Sequence, residues 1–210
     1  MKGKSRRQVY TEMAMRDMFF MLVSGKNFFS ALSDHEIMTG FNQFETMLKM
    51  DESCHEAMYG LGKLNFLLKR YELAEKWLIE AYTKKRDKVY RAWLGFTHIR
   101  LSQVVAVENP NRIKYLVSAV RNLSRCIQDN DLDMYCITAL LFLSVDLAKE
   151  VPNQPQVSGL ESPQKYMSGL KTCLSSRSSS KDYFAELTLA QAYIDINTPG
   201  QVSKGVSALN

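Results

Sequence analysis

The segment ESCHE at positions 52–56 is the one place in this sequence where several side chains typical of metal ligands stand together. On a helix, Glu52 and His55 would lie about one turn apart, beside the cysteine between them. A zinc site usually needs three or four converging ligands, and the other histidines, His35 and His98, have no ligand pair beside them. We therefore expect a charged helix start with one buried thiol, and no metal.

Catalytic chemistry has no clearer signature. A hydrolase needs a nucleophile, a base and an orienting group in one pocket, and the sequence contains neither a GxSxG nor an HExxH motif. The stretch GKNFFS, which begins at Gly25, lacks the second glycine and the Lys-Ser/Thr ending of a phosphate-binding loop. The sequence predicts a protein that is not an enzyme and that has no cofactor.

Nucleic-acid binding is the alternative function, because basic and aromatic residues are interleaved in KKRDKVYRAWLGF at positions 84–96. Helical-repeat proteins that read RNA carry polar specificity residues at a fixed period. Here the basic residues cluster instead at the turn between two predicted helices, where a solvated surface accounts for them. An RNA-binding helical-repeat protein is therefore kept as the alternative and is not the expected function.

The composition is that of a globular protein, with 46% hydrophobic and 23% charged residues in a chain of 210. The net charge of +5 is dispersed among acids along most of the chain, so it does not by itself indicate a polyanionic partner. The apolar run from Met134 to Val145 is too short to span a bilayer, and the N-terminus lacks the long apolar region of a secretion signal. We expect an intracellular, cytoplasmic protein without a membrane span, whose four cysteines are reduced thiols.

The elements that must position these side chains are predicted to be helices throughout. Apolar residues recur at i, i+4, i+7 and i+11 from Ile37 to Leu48 and from Ala57 to Leu68, which is the spacing of one helix face. Similar helical spacing continues over 74–81, 90–101 and 113–120, and the helix that begins near Tyr90 is expected to run to about Val107. No alternating run is long enough to indicate a strand. The predicted fold class is all-α.

The clearest pattern is LGKLNFLLKRYELAEKWLIEAY at positions 61–82, which combines two amphipathic helices and a tight turn. The dipeptide Leu61-Gly62 on its first helix returns as Leu94-Gly95 on the next helix but one. Its second helix places small, large and small residues along one face: Ala74, Leu78 and Ala81. Small residues let two helix axes approach closely. A hairpin of this kind cannot bury both its faces alone, so we expect it to stack on a neighbour.

These residues resemble the tetratricopeptide repeat family over about positions 40–95. Positions 54–82 look like one repeat, positions 40–53 like the second helix of an earlier repeat, and a third repeat begins at Tyr90. The spacing of Gly62 and Gly95 is close to the family period of about 34 residues. The resemblance assigns the close helix contacts to eight residues: Leu61, Gly62, Tyr71, Ala74, Leu78, Ala81, Leu94 and Gly95.

The resemblance implies a right-handed superhelix, or α-solenoid, whose concave groove receives peptides or helices of other proteins. By repeat position, the residues facing this groove would be Tyr59, Lys63, Phe66, Ala92, Phe96 and either Ile99 or Arg100. Lys63 and Phe96 stand where chaperone-tail binders of the family would carry clamp residues, so that ligand is not expected. A groove of this composition suits an amphipathic helix or an extended segment with some acidic residues. Trp77 is expected in the core, and Trp93 either in the core or in the groove.

The predicted organisation has three parts. Positions 1–12 form a basic, flexible arm; positions 13–196 form the repeat domain, with an exposed loop at 150–163 and a serine-rich connector at 175–182; positions 197–210 form a tail or the start of a further helix. Because the predicted helix at 183–196 has no following partner helix, we expect either a longer chain or a partner that covers it. The predicted function is a non-catalytic scaffold or adaptor that binds other protein subunits within a larger hetero-assembly.

Overall fold

The structure is a computed structural model that describes residues 34–127, 133–150 and 157–176. Within these ranges it contains seven helices and no strand, so the predicted all-α class is confirmed. The helices are α1 (Asp34–Met50), α2 (His55–Leu67), α3 (Tyr71–Lys84), α4 (Lys88–Val104), α5 (Pro110–Ser124), α6 (Asp133–Glu150) and α7 (Pro163–Ser176). Over the same ranges, none of the helices combines the length and the apolar character that crossing a membrane requires.

Several predicted segments lie outside the described residues. They are the basic arm at 1–12, the helix at 183–196, the tail at 197–210, and all of the serine-rich connector beyond its second residue. The first two residues of that connector, Ser175 and Ser176, belong to the last turn of α7. The described part of the loop predicted at 150–163 lies between the end of α6 and the start of α7.

α1 packs on α2 at glycine positions, which allow the two helices to approach closely. A Cβ atom added to Gly60 of α2 would overlap the Phe44 ring of α1, and a Cβ atom on Gly40 of α1 would lie 3.2 Å from a methyl carbon of Leu64. As α1 advances from residue 40 to residue 44, its contact moves backwards along α2. The two helices therefore run antiparallel, and glycine on each helix makes room for a large side chain on the other.

The hairpin of α2 and α3 has an equally close contact. A Cβ atom on Gly62 would lie 2.7 Å from Cγ of Leu78 and 2.9 Å from its Cδ2, well inside the optimal separation of two carbon atoms. All eight residues that the resemblance assigns to close helix contacts are buried. Among them, Ala74, Leu78 and Ala81 of α3 have no exposed surface.

The turn between α2 and α3 is a Schellman motif closed by a lysine. Lys69 donates its N–H to the carbonyl oxygen of Phe66, and Arg70 donates its N–H to that of Asn65, both at 2.9 Å. This nested pair of bonds satisfies the last carbonyl groups of the helix. Lys69 has a φ of 60°, in the left-handed region where a side chain is unfavourable and glycine is the usual residue.

Polar side chains fix the starts of α4 and α5. Asp87 Oδ1 accepts a hydrogen bond of 2.8 Å from the backbone N–H two residues on, and Asn109 Oδ1 does the same at 2.9 Å for α5. Pro110 is the first residue of α5, where its missing N–H costs nothing.

α4 ends at Val104, short of the predicted end near Val107, because the next residue is extended, with φ −86° and ψ 148°. Apolar periodicity continues into this segment although the chain has already turned towards the cap of α5.

The chain divides into two compact units between Asn122 and Leu123, near the end of α5. The repeat domain predicted as one piece over 13–196 is thus divided by this boundary. In the second unit α6 packs against α7, with Leu140 and Leu170 fully buried. All four cysteines fall within the described ranges and are free thiols.

Candidate partner-binding surface

The structure corrects the predicted accessibility of Phe66, Ala92 and Phe96, because all three side chains are buried. Phe66 of α2 meets Trp93 of α4 edge to face, with ring centroids 5.4 Å apart and planes at 88°. The repeat position of Phe66 implies the face of α2 on which it lies but does not identify α4 as the helix that covers it. Phe66 is thus part of the interface between α2 and α4, and all three side chains are covered by the protein's own packing.

Tyr59 and Lys63, also predicted in the groove, are only partly buried. The ring of Tyr59 stacks on that of Tyr90 at a centroid distance of 4.7 Å. The Lys63 ammonium lies 5.4 Å from the ring centroid of Tyr59 and 5.5 Å from that of Trp93, within the range of a cation–π interaction. Burial raises the pKa of the Tyr59 phenol, and Tyr90 and Asp87 act in the same direction. Both side chains therefore take part in packing α2 against α4.

Arg100, the last of the predicted groove residues, is partly buried near the end of α4. Its Nη1 donates a hydrogen bond of 2.9 Å to Oε1 of Gln103. Burial lowers the pKa of its guanidinium, and the nearby Tyr71 acts in the opposite direction. A binding role for Tyr59, Lys63 or Arg100 stays a prediction.

The two tryptophans occupy different environments. Trp93 is only 2% exposed and lies in the core, which decides between its two predicted positions. Trp77, expected in the core, is partly buried: it packs against a buried cluster and also lines an open cleft. The sequence-based expectation for Trp77 is therefore correct for one side of the ring only.

That cleft has a volume of about 490 Å³ and lies over α2, between α1 and α3. Its floor is lined by Leu61 and Asn65 of α2 and by Leu68, the residue directly after α2. These three have the i, i+4, i+7 spacing of one helix face. Asn65 is tied to its own helix, since its Nδ2 donates to the carbonyl oxygen of Leu61 at 2.8 Å. The floor is therefore apolar, with its one amide already paired.

The walls of the cleft present large apolar side chains to solvent. Met38 of α1 is 56% exposed and Leu73 of α3 is 48% exposed, and Ile37, Phe41 and Trp77 complete the apolar lining. Isolated apolar residues on a surface are ordinary, whereas several that converge on one concave site are typical of a binding surface. The cleft is the best candidate site in the part of the chain that the structure describes.

Sequence reasoning missed this surface although its signal is present. Leu73 and Trp77 are spaced i, i+4 on α3, beside the face formed by Ala74, Leu78 and Ala81. Ile37 and Phe41 have the same spacing on α1. The pair on α3 broadens the apolar stripe of that helix, and the pair on α1 belongs to the stripe already predicted there. The resemblance drew attention to other residues, those of the predicted concave groove.

The rest of the lining is polar and consists of Asn42 and two oppositely charged side chains. Glu45 of α1 and Arg70, which precedes α3, are both exposed. Within the described residues, the Glu45 carboxylate and the Arg70 guanidinium form no hydrogen bond and no ion pair. Because both charges remain solvated, each is available to an incoming group of opposite sign.

The ESCHE segment forms ordinary polar contacts. His55 Nδ1 lies 2.9 Å from the Tyr90 hydroxyl and 3.0 Å from Oε2 of Glu56, and the Cys54 sulfur lies 4.0 Å from the same Glu56 oxygen. Across the described ranges, no three His, Cys, Asp or Glu side chains converge as metal ligands would. Its observed role is to join the start of α2 to α4.

Arg86 of the basic turn between α3 and α4 and Arg91 in the first turn of α4 both stack on one aromatic ring. The guanidinium carbons of Arg86 and Arg91 lie 4.9 and 5.1 Å from the ring centroid of Tyr82, and Arg91 Nη2 also donates to the Tyr82 hydroxyl. Asp87, within the same turn, is the cap of α4. The turn is thus an internally organised surface in which Tyr82 already has cationic neighbours on its ring.

A scan against protein-family models, a search of curated proteins and a search of solved structures each found no match to this chain.

Proposed function

We propose that the protein is a non-catalytic docking module of tetratricopeptide type, which binds a segment of another protein within a multiprotein assembly. The observation that carries this proposal is the open apolar cleft between α1 and α3, with Met38 and Leu73 exposed on its opposite walls. Removing apolar surface from water is favourable by about 25 cal/mol for each Å², and this gain is partly offset by the ordering that association requires. The cleft replaces the predicted concave groove as the proposed docking surface.

The repeat character of the proposal is supported by the correspondence between α2 and α4. α2 begins at His55 and α4 at Lys88, and a buried glycine occupies the eighth position of each, Gly62 and Gly95. α2 also contacts α4 directly through the aromatic pairs, in addition to its contact with α3. Equivalent helices that touch across an intervening one are what stacked hairpins produce.

The test is affinity capture of the full chain from lysate, with a pair of matched variants on α3. Leu73→Asp places a charge on the wall of the cleft, whereas Ile79→Asp places it at a site of similar exposure, 46% against 48%, that does not line the cleft. We expect a co-purifying protein that is retained by Ile79→Asp and lost with Leu73→Asp. Circular dichroism checks that both variants remain folded.

Nuclease treatment of the same lysate tests the alternative, an RNA-binding protein. We expect the captured protein to persist, because docking in the cleft needs no nucleic acid. Loss of the captured protein after nuclease treatment, together with indifference to Leu73→Asp, would instead support binding through the basic turn around Tyr82. A chain that captures no protein at all would contradict the docking function itself.

A further inference from the structure

The two charges of the cleft lie towards opposite ends of its length. Arg70 follows the end of α2, whereas Glu45 is adjacent to Phe44, which packs at Gly60 in the first half of that helix. From the level of Gly60 to that of Leu68 the helix rises about 12 Å, or slightly more than two turns. The cleft is therefore an apolar trough with a positive end and a negative end.

The shape of the trough is set by helices alone. α1 runs antiparallel to α2, and α3 returns antiparallel to α2 through the tight turn at Lys69. α1 and α3 thus run in the same direction on either side of the floor. The floor offers side chains at i, i+4 and i+7, and a further helix can place its own ridge into a groove of this kind. The described residues offer no strand edge to which an extended peptide could add.

We propose that the cleft binds an amphipathic helix of a partner protein that carries a basic residue and an acidic residue about two turns apart, flanking its apolar face. The basic residue pairs with Glu45 and the acidic residue with Arg70, while apolar anchors cover Met38, Leu73 and Trp77. This proposal rests on the docking function proposed above and adds the chemistry of the occupant. Charge complementarity of this kind fixes register, and the apolar anchors supply most of the affinity.

The experiment is a selection from a phage-displayed library of 16-residue helical peptides. A helix of this length is about 24 Å long and exceeds the trough by about one turn at each end. Apolar anchor positions are varied among Leu, Ile, Met and Phe, and two flanking positions seven residues apart are varied among Lys, Glu and Gln. We expect the wild-type chain to enrich peptides with one Lys and one Glu at the flanking positions. Either order is acceptable, because a helix can enter the trough in either direction.

Two variants that invert one charge of the cleft each test whether the selected charges pair with Glu45 and Arg70. Arg70→Glu gives the trough two acidic ends and should enrich Lys at both flanking positions; Glu45→Lys gives it two basic ends and should enrich Glu at both. Each mismatched charge should weaken a selected peptide about two- to fivefold, the range expected of exposed ion pairs. Leu73→Asp should weaken all selected peptides roughly tenfold or more, and Ile79→Asp should leave them unchanged.

Selected peptides without a charge preference, or a preference that does not follow the two variants, would overturn the proposal. So would peptides that bind equally well to Leu73→Asp, because they would occupy another surface. If no peptide is selected but a captured protein still depends on Leu73, the docking function stands and the helix proposal fails. If neither peptide nor protein depends on Leu73, both fail.

Discussion

Gly62 shows how a single missing side chain determines the spacing of two helices. Alanine at this position would gain about 1 kcal/mol in helix propensity. Its Cβ atom would, however, lie 2.7 Å from Cγ of Leu78, a branch point in a side chain with no exposed surface. Overpacking a filled core costs about 1–3 kcal/mol, so we expect Gly62→Ala to lower the free energy of unfolding, by about 1 kcal/mol. Urea unfolding followed by circular dichroism measures the change.

Gly169 of α7 provides the matched control. A Cβ atom there would lie 3.7 and 3.9 Å from the nearest carbon atoms of Ile137, which is ordinary contact. Gly169→Ala should therefore show the propensity gain without the steric cost and should stabilise its unit by up to about 1 kcal/mol. Equal effects of the two substitutions would contradict the assigned role of Gly62.

Lys69 has a backbone conformation that glycine would adopt more favourably than lysine. Its φ of 60° is unfavourable for any side chain, while its side chain is exposed. We expect Lys69→Gly to stabilise the protein by about 0.5–1 kcal/mol, after the greater freedom of glycine in the unfolded chain is deducted. A rise in the melting temperature measures it. Lys85→Gly at the end of α3, where φ is −140°, should give no such rise.

At the scale of the elements, the interface between α2 and α4 contributes to the response of the protein to high pH. Below about pH 10 the Tyr59 phenol is neutral in both the folded and the unfolded chain. Because burial raises its pKa in the folded chain, only the unfolded chain ionises this group as the pH rises further. The unfolded chain then gains stability, so the free energy of unfolding must fall above pH 10.

Tyr59→Phe removes this group and should make the alkaline loss of stability less steep. Urea unfolding of both proteins between pH 8 and pH 11.5 tests the prediction. The difference between their free energies of unfolding should be constant below about pH 9 and should shift in favour of the variant above pH 10. A constant difference over the whole range would mean that Tyr59 ionises equally in both states.

The sequence is a good guide to these elements and a poor guide to what covers them. Apolar spacing locates the helices to within a few residues, because periodicity is a local property. The resemblance to the repeat family also implies the face of α2 that carries Tyr59 and Phe66. That Trp93 closes over it, and that Leu73 stays exposed, depends on the placement of neighbouring helices, which local spacing does not specify.

At the scale of the whole molecule, the division between Asn122 and Leu123 predicts separate local stabilities. Leu140 is fully buried in the second unit, and Leu140→Ala should cost about 2–5 kcal/mol there. We expect faster amide hydrogen exchange in α6 and α7 and unchanged exchange in α2, α3 and α4, measured by mass spectrometry. Equal acceleration in all five helices would indicate that the chain unfolds as one cooperative unit.

The sequence did not reveal this boundary, and the reason is physical. α5 runs across it from Pro110 to Ser124, so no proline, glycine or polar linker marks the change of unit. Composition identifies a domain boundary where the chain is exposed between two cores. Where a helix continues through the boundary, the surrounding packing defines it instead.

The placement of the two tryptophans has an optical consequence. Trp93 is enclosed by the core, while Trp77 lines the cleft, and the chain contains no other indole. A collisional quencher dissolved in water should therefore reach one emitter and not the other. Any ligand that fills the cleft should remove that accessible fraction and shift its emission to shorter wavelength, so the unlabelled protein reports its own occupancy.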